Sequence, residues 1–210
     1  TVRFRDSMAD TTKGISTASR VRGSLLGLAV GDALGTTLEN TKEITTQPLT
    51  DMVGGGPFHL VAGEFTDDTS TALLLAESLL AKKGFFPHDQ LDRYHDWYTN
   101  GHLGSNNVCF DIGIGTRIAV LAYKESNNPY PTTESDTRAG NGSLMRLTPV
   151  VLAYHNQEAS ILMKLAAQSS RTTHGAKSCL DACQFYAALI SGCLKGTKKE
   201  ELLHADYYKS

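Results

Sequence analysis

The sequence predicts an all-α fold, a compact assembly of many helices, on three observations. Apolar residues recur at three- and four-residue spacing through several segments, glycine- and proline-rich stretches separate those segments, and no convincing run of strand-like alternation occurs. A chain of 210 residues can bury a sizeable core as one domain. Its 20 Lys and Arg against 22 Asp and Glu give a net charge of −2, which argues against a nucleic-acid or anionic-membrane surface but leaves a small anionic ligand open. The longest apolar stretch, Leu25 to Val30, is too short to span a bilayer, and the N-terminal residues lack the layout of a signal peptide. A cytoplasmic protein is expected. Cys109, Cys179, Cys183 and Cys193 have neither zinc-ribbon spacing nor disulfide-scaffold density, so free and mostly buried thiols are expected, with His174 near Cys179 and Cys183 a weak zinc signal.

Residues 1–18 read as a flexible N-terminal tail and 19–210 as the folded portion. The first helix is expected over Ser19 to Gly35. Within it Gly23, Gly27, Gly31 and Gly35 fall every four residues, a stripe costly to a helix unless another backbone packs closely on it. Asp32 follows Leu25, Leu28 and Ala29 on the apolar face, where a carboxylate must be paired, ligated or hydrogen-bonded. It could tie the helix end to a neighbouring loop or support a metal site. Residues 40–65 read as a long loop of the kind that carries function.

Ala72, Leu75, Ala76, Leu79 and Leu80 then mark an amphipathic helix ending in Lys82-Lys83-Gly84, with Thr66 at or near its N-cap. A helix over His88 to Asn100 is expected to place Leu91, Tyr94, His95 and Tyr98 on one side. Phe110 to Arg117 opens another, reaching about Lys124, with Asp111 at its start. Gly140 to Arg146 is a glycine-flanked turn into a helix over Leu144 to Tyr154, which Pro149 should kink or break. Helices over Glu158 to Ser170 and Gly175 to Leu194 complete the series.

Two of these helix starts suit chemistry. Thr66-Asp67-Asp68 offers two carboxylates and a hydroxyl, hard oxygen donors suited to Mg²⁺ or Mn²⁺, although an ordinary capped helix start has the same residues. Free amides around Gly140 to Ser143 suit a phosphate, although a plain turn has the same residues and the pattern is neither a Walker A loop nor a Rossmann fingerprint.

Taken in order, the motifs resemble the ADP-ribosylglycohydrolase family, particularly the bacterial branch with the dinitrogenase reductase-activating glycohydrolases. The similarity runs from about Arg20 to Leu203. It rests on Gly31 to Glu39, Thr66-Asp67-Asp68-Thr69, Phe110-Asp111-Ile112-Gly113, Gly140 to Arg146, and Ser170-Arg171-Thr172-Thr173-His174-Gly175. Phe65 stands where the family often has tryptophan. The resemblance implies a metal-dependent hydrolase that cleaves the bond at the anomeric carbon of ADP-ribose, releasing it from a modified protein or nucleic acid. Glu39, Asp67, Asp68 and Asp111 are then the expected catalytic group, with Thr66, Asp67 and Asp68 as metal ligands. Gly113, Gly115, Gly140, Asn141, Gly142, Ser143, Met145 and His174 would bind substrate.

Two Mg²⁺ or Mn²⁺ ions are implied for the complete fold, whose late Asp-x-Asp-Thr motif has no counterpart here. Asp136, Arg138 and Asp206 offer no substitute spacing. The resemblance therefore implies the N-terminal portion of a family member, with a C-terminal fragment as an expected partner. A non-catalytic ADP-ribose or nucleotide reader and a purely structural relative are the alternatives. A monomer is expected because the helices leave no apolar stripe over.

Overall fold

A computed structural model describes residues 14–40, 48–132, 134–135 and 139–208. Most of the expected tail, part of the long loop, and Asp136 and Arg138 lie outside the described residues. Among these residues the fold is all-α: α1 Thr17–Gly35, α2 Asp67–Lys82, α3 Pro87–Asn100, α4 Ile114–Ser126, α5 Thr148–Tyr154, α6 Ala159–Arg171, α7 Lys177–Lys195 and the single turn α8 Lys199–Leu202. A 3₁₀ turn, Thr36–Leu38, extends α1, and one isolated antiparallel bridge joins Gly55 to Leu60 in the long loop. The short α8 was not expected from the sequence.

Helix α2 is central because it serves two cores. Leu75 and Leu79 pack with Leu147, Val150 and Val151, Leu162 and Ala166, and Cys183 to Leu194 from α5, α6 and α7. Leu74, one residue away and so turned by about 100°, enters a second cluster with Leu91, Tyr94, Trp97, Val120 and Tyr123 of α3 and α4. Burial on both sides extends to the polar first turns. Ser70 Oγ donates to the Thr66 carbonyl at 3.0 Å and Thr71 Oγ1 to the Asp67 carbonyl at 2.6 Å, so these hydroxyls enter the interior without orphaned protons. Lys83 takes the left-handed conformation (φ 53°) that ends α2.

Four local expectations need correction. Pro149 lies in the first turn of α5, where its missing N–H costs no helical bond, so residues 144–147 are a turn and the proline marks a start instead of a kink. In α3 the buried side is Gln90, Leu91, Tyr94 and Trp97, because the large indole, three residues after Tyr94, outweighs His95 and Tyr98. The glycine stripe of α1 meets no close backbone among the described residues: a Cβ at Gly23, Gly27, Gly31 or Gly35 would have nothing within 4 Å. Leu26 (65% exposed) and Val30 (50% exposed) also stay outside the core, so the premise that no apolar stripe is left over does not hold.

Helix α1 is tied to α2 by Asp32. Its carboxylate accepts from the Thr66 N–H (3.0 Å) and hydroxyl (2.8 Å) and from the Thr69 N–H (3.0 Å) and hydroxyl (2.7 Å). Thr66 is the N-cap by position, yet its own side chain makes no capping bond. The cap comes from another helix, with its negative charge at the positive end of α2. Replacing Asp32 with alanine is expected to lower stability by about 2 kcal/mol, the value of a strong cap with its hydrogen bonds. Urea unfolding measures this, and an unchanged midpoint would deny Asp32 the role.

Candidate functional site

The cap holds Asp67 and Asp68 in the first turn of α2, at the edge of a cleft of about 550 Å³. Glu39 reaches the same edge from the residue after the 3₁₀ turn, and Asp111 from the loop before α4. Asp111 does not cap α4, whose N-cap is Gly113. It sits in the left-handed region (φ 54°), an uncommon backbone state for a residue with a side chain. Packing holds that loop: the Phe110 ring lies 5.5 Å from Phe58, and Ser105 Oγ donates to the Phe65 carbonyl at 2.7 Å.

The far wall comes from α4 and the glycine turn. Gly113, Gly115, Gly140, Asn141, Gly142, Met145 and His174 all line the cleft. The turn is closed by the Leu144 and Met145 amides donating to the Asn141 carbonyl at 2.8 and 3.1 Å. Gly115 and Gly142 are held to glycine by proximity to His174. A Cβ at Gly142 would lie 2.8 Å from Cε1 of His174, and one at Gly115 would lie 3.1 Å from its Nε2. Two expected site residues lie elsewhere. Ser143 is buried and turned inward, accepting from Ser170 Oγ at 2.8 Å, and Thr66 lines a smaller adjoining cavity of about 220 Å³ with Asp32, Glu39 and Asp68.

The acid edge is electrostatically crowded. Burial, then the charges of Asp111 and Asp68, push Asp67 up to about 8. Burial, then Asp32 and Glu39, push Asp68 up to about 6. Asp111 is also pushed up, by burial, by the charge of Glu39 and by a side-chain hydrogen bond with it. No cation is among the causes, so like charges oppose one another with partial desolvation. Among the described residues no three His, Cys, Asp or Glu side chains close into a ready ion cage. The donor set is nonetheless oxygen only, two carboxylates and a hydroxyl, which fits a hard divalent ion in kind. Cys179 and Cys183 are buried free thiols, with Cys179 donating to the Gly140 carbonyl at 3.4 Å, and they form no zinc cluster with His174.

The family model described as ADP-ribosylglycohydrolase matches residues 14–208. The chain belongs to that family. It is 38% identical over 201 residues to an ADP-ribosylarginine hydrolase Tri1 of Pseudomonas putida, covering 96% of this chain and 54% of the relative. To the ADP-ribosyl-[dinitrogen reductase] glycohydrolase of Rhodospirillum rubrum it is 34% identical over 188 residues, covering 87% and 60%. A solved structure titled ADP-ribosylglycohydrolase-related protein complex superposes with a TM-score of 0.78 at 45% identity, over 90% of this chain and 60% of that one. The chain thus spans about half the length of the curated relatives it matches.

Beside the cleft, two residues outside the expected site set stand out. Asp32 was open between a tie and metal support, and the structure gives it the tie to α2. Arg146, quoted only as the end of a motif, is fully buried below the glycine turn and donates to the Gly142 carbonyl at 2.8 Å. Its signal in the sequence is a charge inside the apolar run Leu144 to Val151.

His174 is 6% exposed, and burial followed by the Arg146 charge lowers it from 6.5 to about 4. As pH falls between those two values the unfolded chain takes up the proton first, so the histidine's contribution to stability is lost as pH falls through that window. In His174→Gln this loss is absent. The stability gap between parent and variant is therefore expected to move in the variant's favour on acidification, read by urea unfolding on either side of the window. A gap that does not change with pH would show that His174 titrates normally.

Proposed function

We propose that this cleft binds ADP-ribose and belongs to a divalent-metal-dependent hydrolase that releases ADP-ribose from a modified protein. The observation that carries the reading is the cleft's polarity: a crowded set of carboxylates at one edge faces a glycine turn and a neutral histidine at the other. The first suits an ion and ribose hydroxyls, the second suits phosphate oxygens. Two relatives carry the name ADP-ribosylarginine hydrolase, so the arginine-linked modification is the proposed substrate.

Thr66, Asp67 and Asp68 would hold Mg²⁺ or Mn²⁺. A bound divalent ion would supply fixed positive charge for ribose hydroxyls and acidify a bound water. The chain's own residues divide the rest. Asp111, pushed up beside Glu39, is suited to hold a proton and pass it to the departing guanidine nitrogen as the bond to the anomeric carbon breaks. Glu39, on the same edge of the cleft, orients the attacking water and receives its proton. The amides around Gly140 to Gly142 and the imidazole of His174 hold the diphosphate end. The free cysteines fit a reducing compartment, so the cytoplasm is the proposed location.

Calorimetric titration with ADP-ribose, with and without Mg²⁺, tests the reading. Magnesium-strengthened binding that Asp67→Asn abolishes is expected, and binding indifferent to magnesium would instead favour a non-catalytic reader. No binding under either condition would overturn the assignment for this chain. On an arginine-linked substrate, Glu39→Gln is expected to lower turnover by at least about 100-fold while ADP-ribose still binds. Intact turnover in that variant would remove Glu39 from the reaction.

A further inference from the structure

Arg146 is 0% exposed, and among the described residues no carboxylate forms an ion pair with it. Its face lies over the Tyr94 ring, with the guanidinium carbon 4.9 Å from the centroid. Nη1 donates to the Gly142 carbonyl at 2.8 Å. Nη2 donates to Thr173 Oγ1 at 2.6 Å, with longer contacts to Thr172 Oγ1 (3.3 Å) and the Ser169 carbonyl (3.4 Å). One buried cation is therefore spent on a turn, on two neighbouring threonines and on nothing of opposite charge.

The bond to Thr173 has a consequence one residue further on. A guanidinium can only donate, so the Thr173 oxygen acts as acceptor toward Arg146 and its own O–H must find another partner. That partner is Nδ1 of His174, 2.8 Å away. Were Nδ1 to carry the ring proton, Thr173 would face two donors, and its buried O–H would be left without an acceptor, an unfavourable state for a buried donor. With Nδ1 as acceptor the proton moves to Nε2. That nitrogen lies on the edge of the ring approached by Gly115, Gly140 and Gly142, which line the cleft together with His174.

We propose that Arg146 and Thr173 are positioning residues: the guanidinium commits the Thr173 hydroxyl to donate to Nδ1, which holds His174 as the Nε2–H tautomer and presents a hydrogen-bond donor to a ligand oxygen in the cleft. The ligand half of this inference rests on the ADP-ribose reading; the tautomer half does not. The downward shift of His174, to which the Arg146 charge contributes, keeps the ring neutral at physiological pH, so the two tautomers are the states to be distinguished.

Two-bond proton–nitrogen correlation spectra of the ¹⁵N-histidine-labelled, ligand-free chain test it, with the His174 signals assigned by their loss in His174→Gln. The expected pattern is the Nε2–H tautomer. Thr173→Val, which keeps shape and removes the hydroxyl, is expected to shift His174 toward the Nδ1–H form and weaken ADP-ribose binding about tenfold, the equivalent of one hydrogen bond. Thr173→Ser is expected to restore both. An Nδ1–H pattern in the parent overturns the proposal, as does a Thr173→Val spectrum unchanged from the parent. A parent that shows the Nε2–H form but binds no ADP-ribose would refute the ligand reading alone, since the spectrum decides the relay independently.

Discussion

The geometry of the cleft depends on a single carboxylate that does not line it. Asp32, near the end of α1, satisfies the open amides at the start of α2 and takes two threonine hydroxyls as well. Because α2 is packed into both cores, fixing its first turn fixes Asp67 and Asp68 relative to everything else. The hydroxyl of Thr66 is drawn into the same arrangement, with its proton directed to Asp32 and its oxygen left with free lone pairs. The acidic edge is thus held in place by bonds within the chain alone.

Charge is distributed across the cleft in an unusual pattern. At one edge, carboxylates repel one another without a neighbouring cation. Beneath the other, a guanidinium is buried without a neighbouring carboxylate among the described residues. Neither arrangement is favourable by itself, since buried charge is costly until it is balanced. The two lie on opposite sides of the same cleft, and this separation of charge is the arrangement on which the proposed ADP-ribose site draws.

Much of the fold was legible in the sequence because its signals are local. The apolar spacing from Ala72 to Leu80 and the glycine and proline breaks placed the main helices within a few residues. What failed depended on partners distant in sequence. Nothing near Asp32 reveals that its acceptors are used 34 and 37 residues later. Asp111 reads as a cap because capping is the commonest role at that position, whereas its backbone is left-handed and Gly113 holds the N-cap position. Ser143 sits inside a phosphate-binding pattern yet faces Ser170, a choice made by the α6–α7 side of the core. The ordered motifs brought Glu39, Asp67, Asp68, Asp111 and His174 into consideration together, and the structure puts them around one cleft. Arg146 carries a local signal, a charge inside an apolar run, but its partners at Ser169, Thr172 and Thr173 lie 23 to 27 residues away.

The walls of the cleft come from five separated stretches, at Glu39, Asp67 to Asp68, Asp111 to Thr116, Ala139 to Met145, and His174. Helices can form from nearby residues, but bringing these stretches together requires several long loop closures, each with an entropic cost incurred before any contact is gained. The cleft therefore exists only where all five stretches have come together, and a ligand that fits it stabilises the fully closed chain rather than any one part of it.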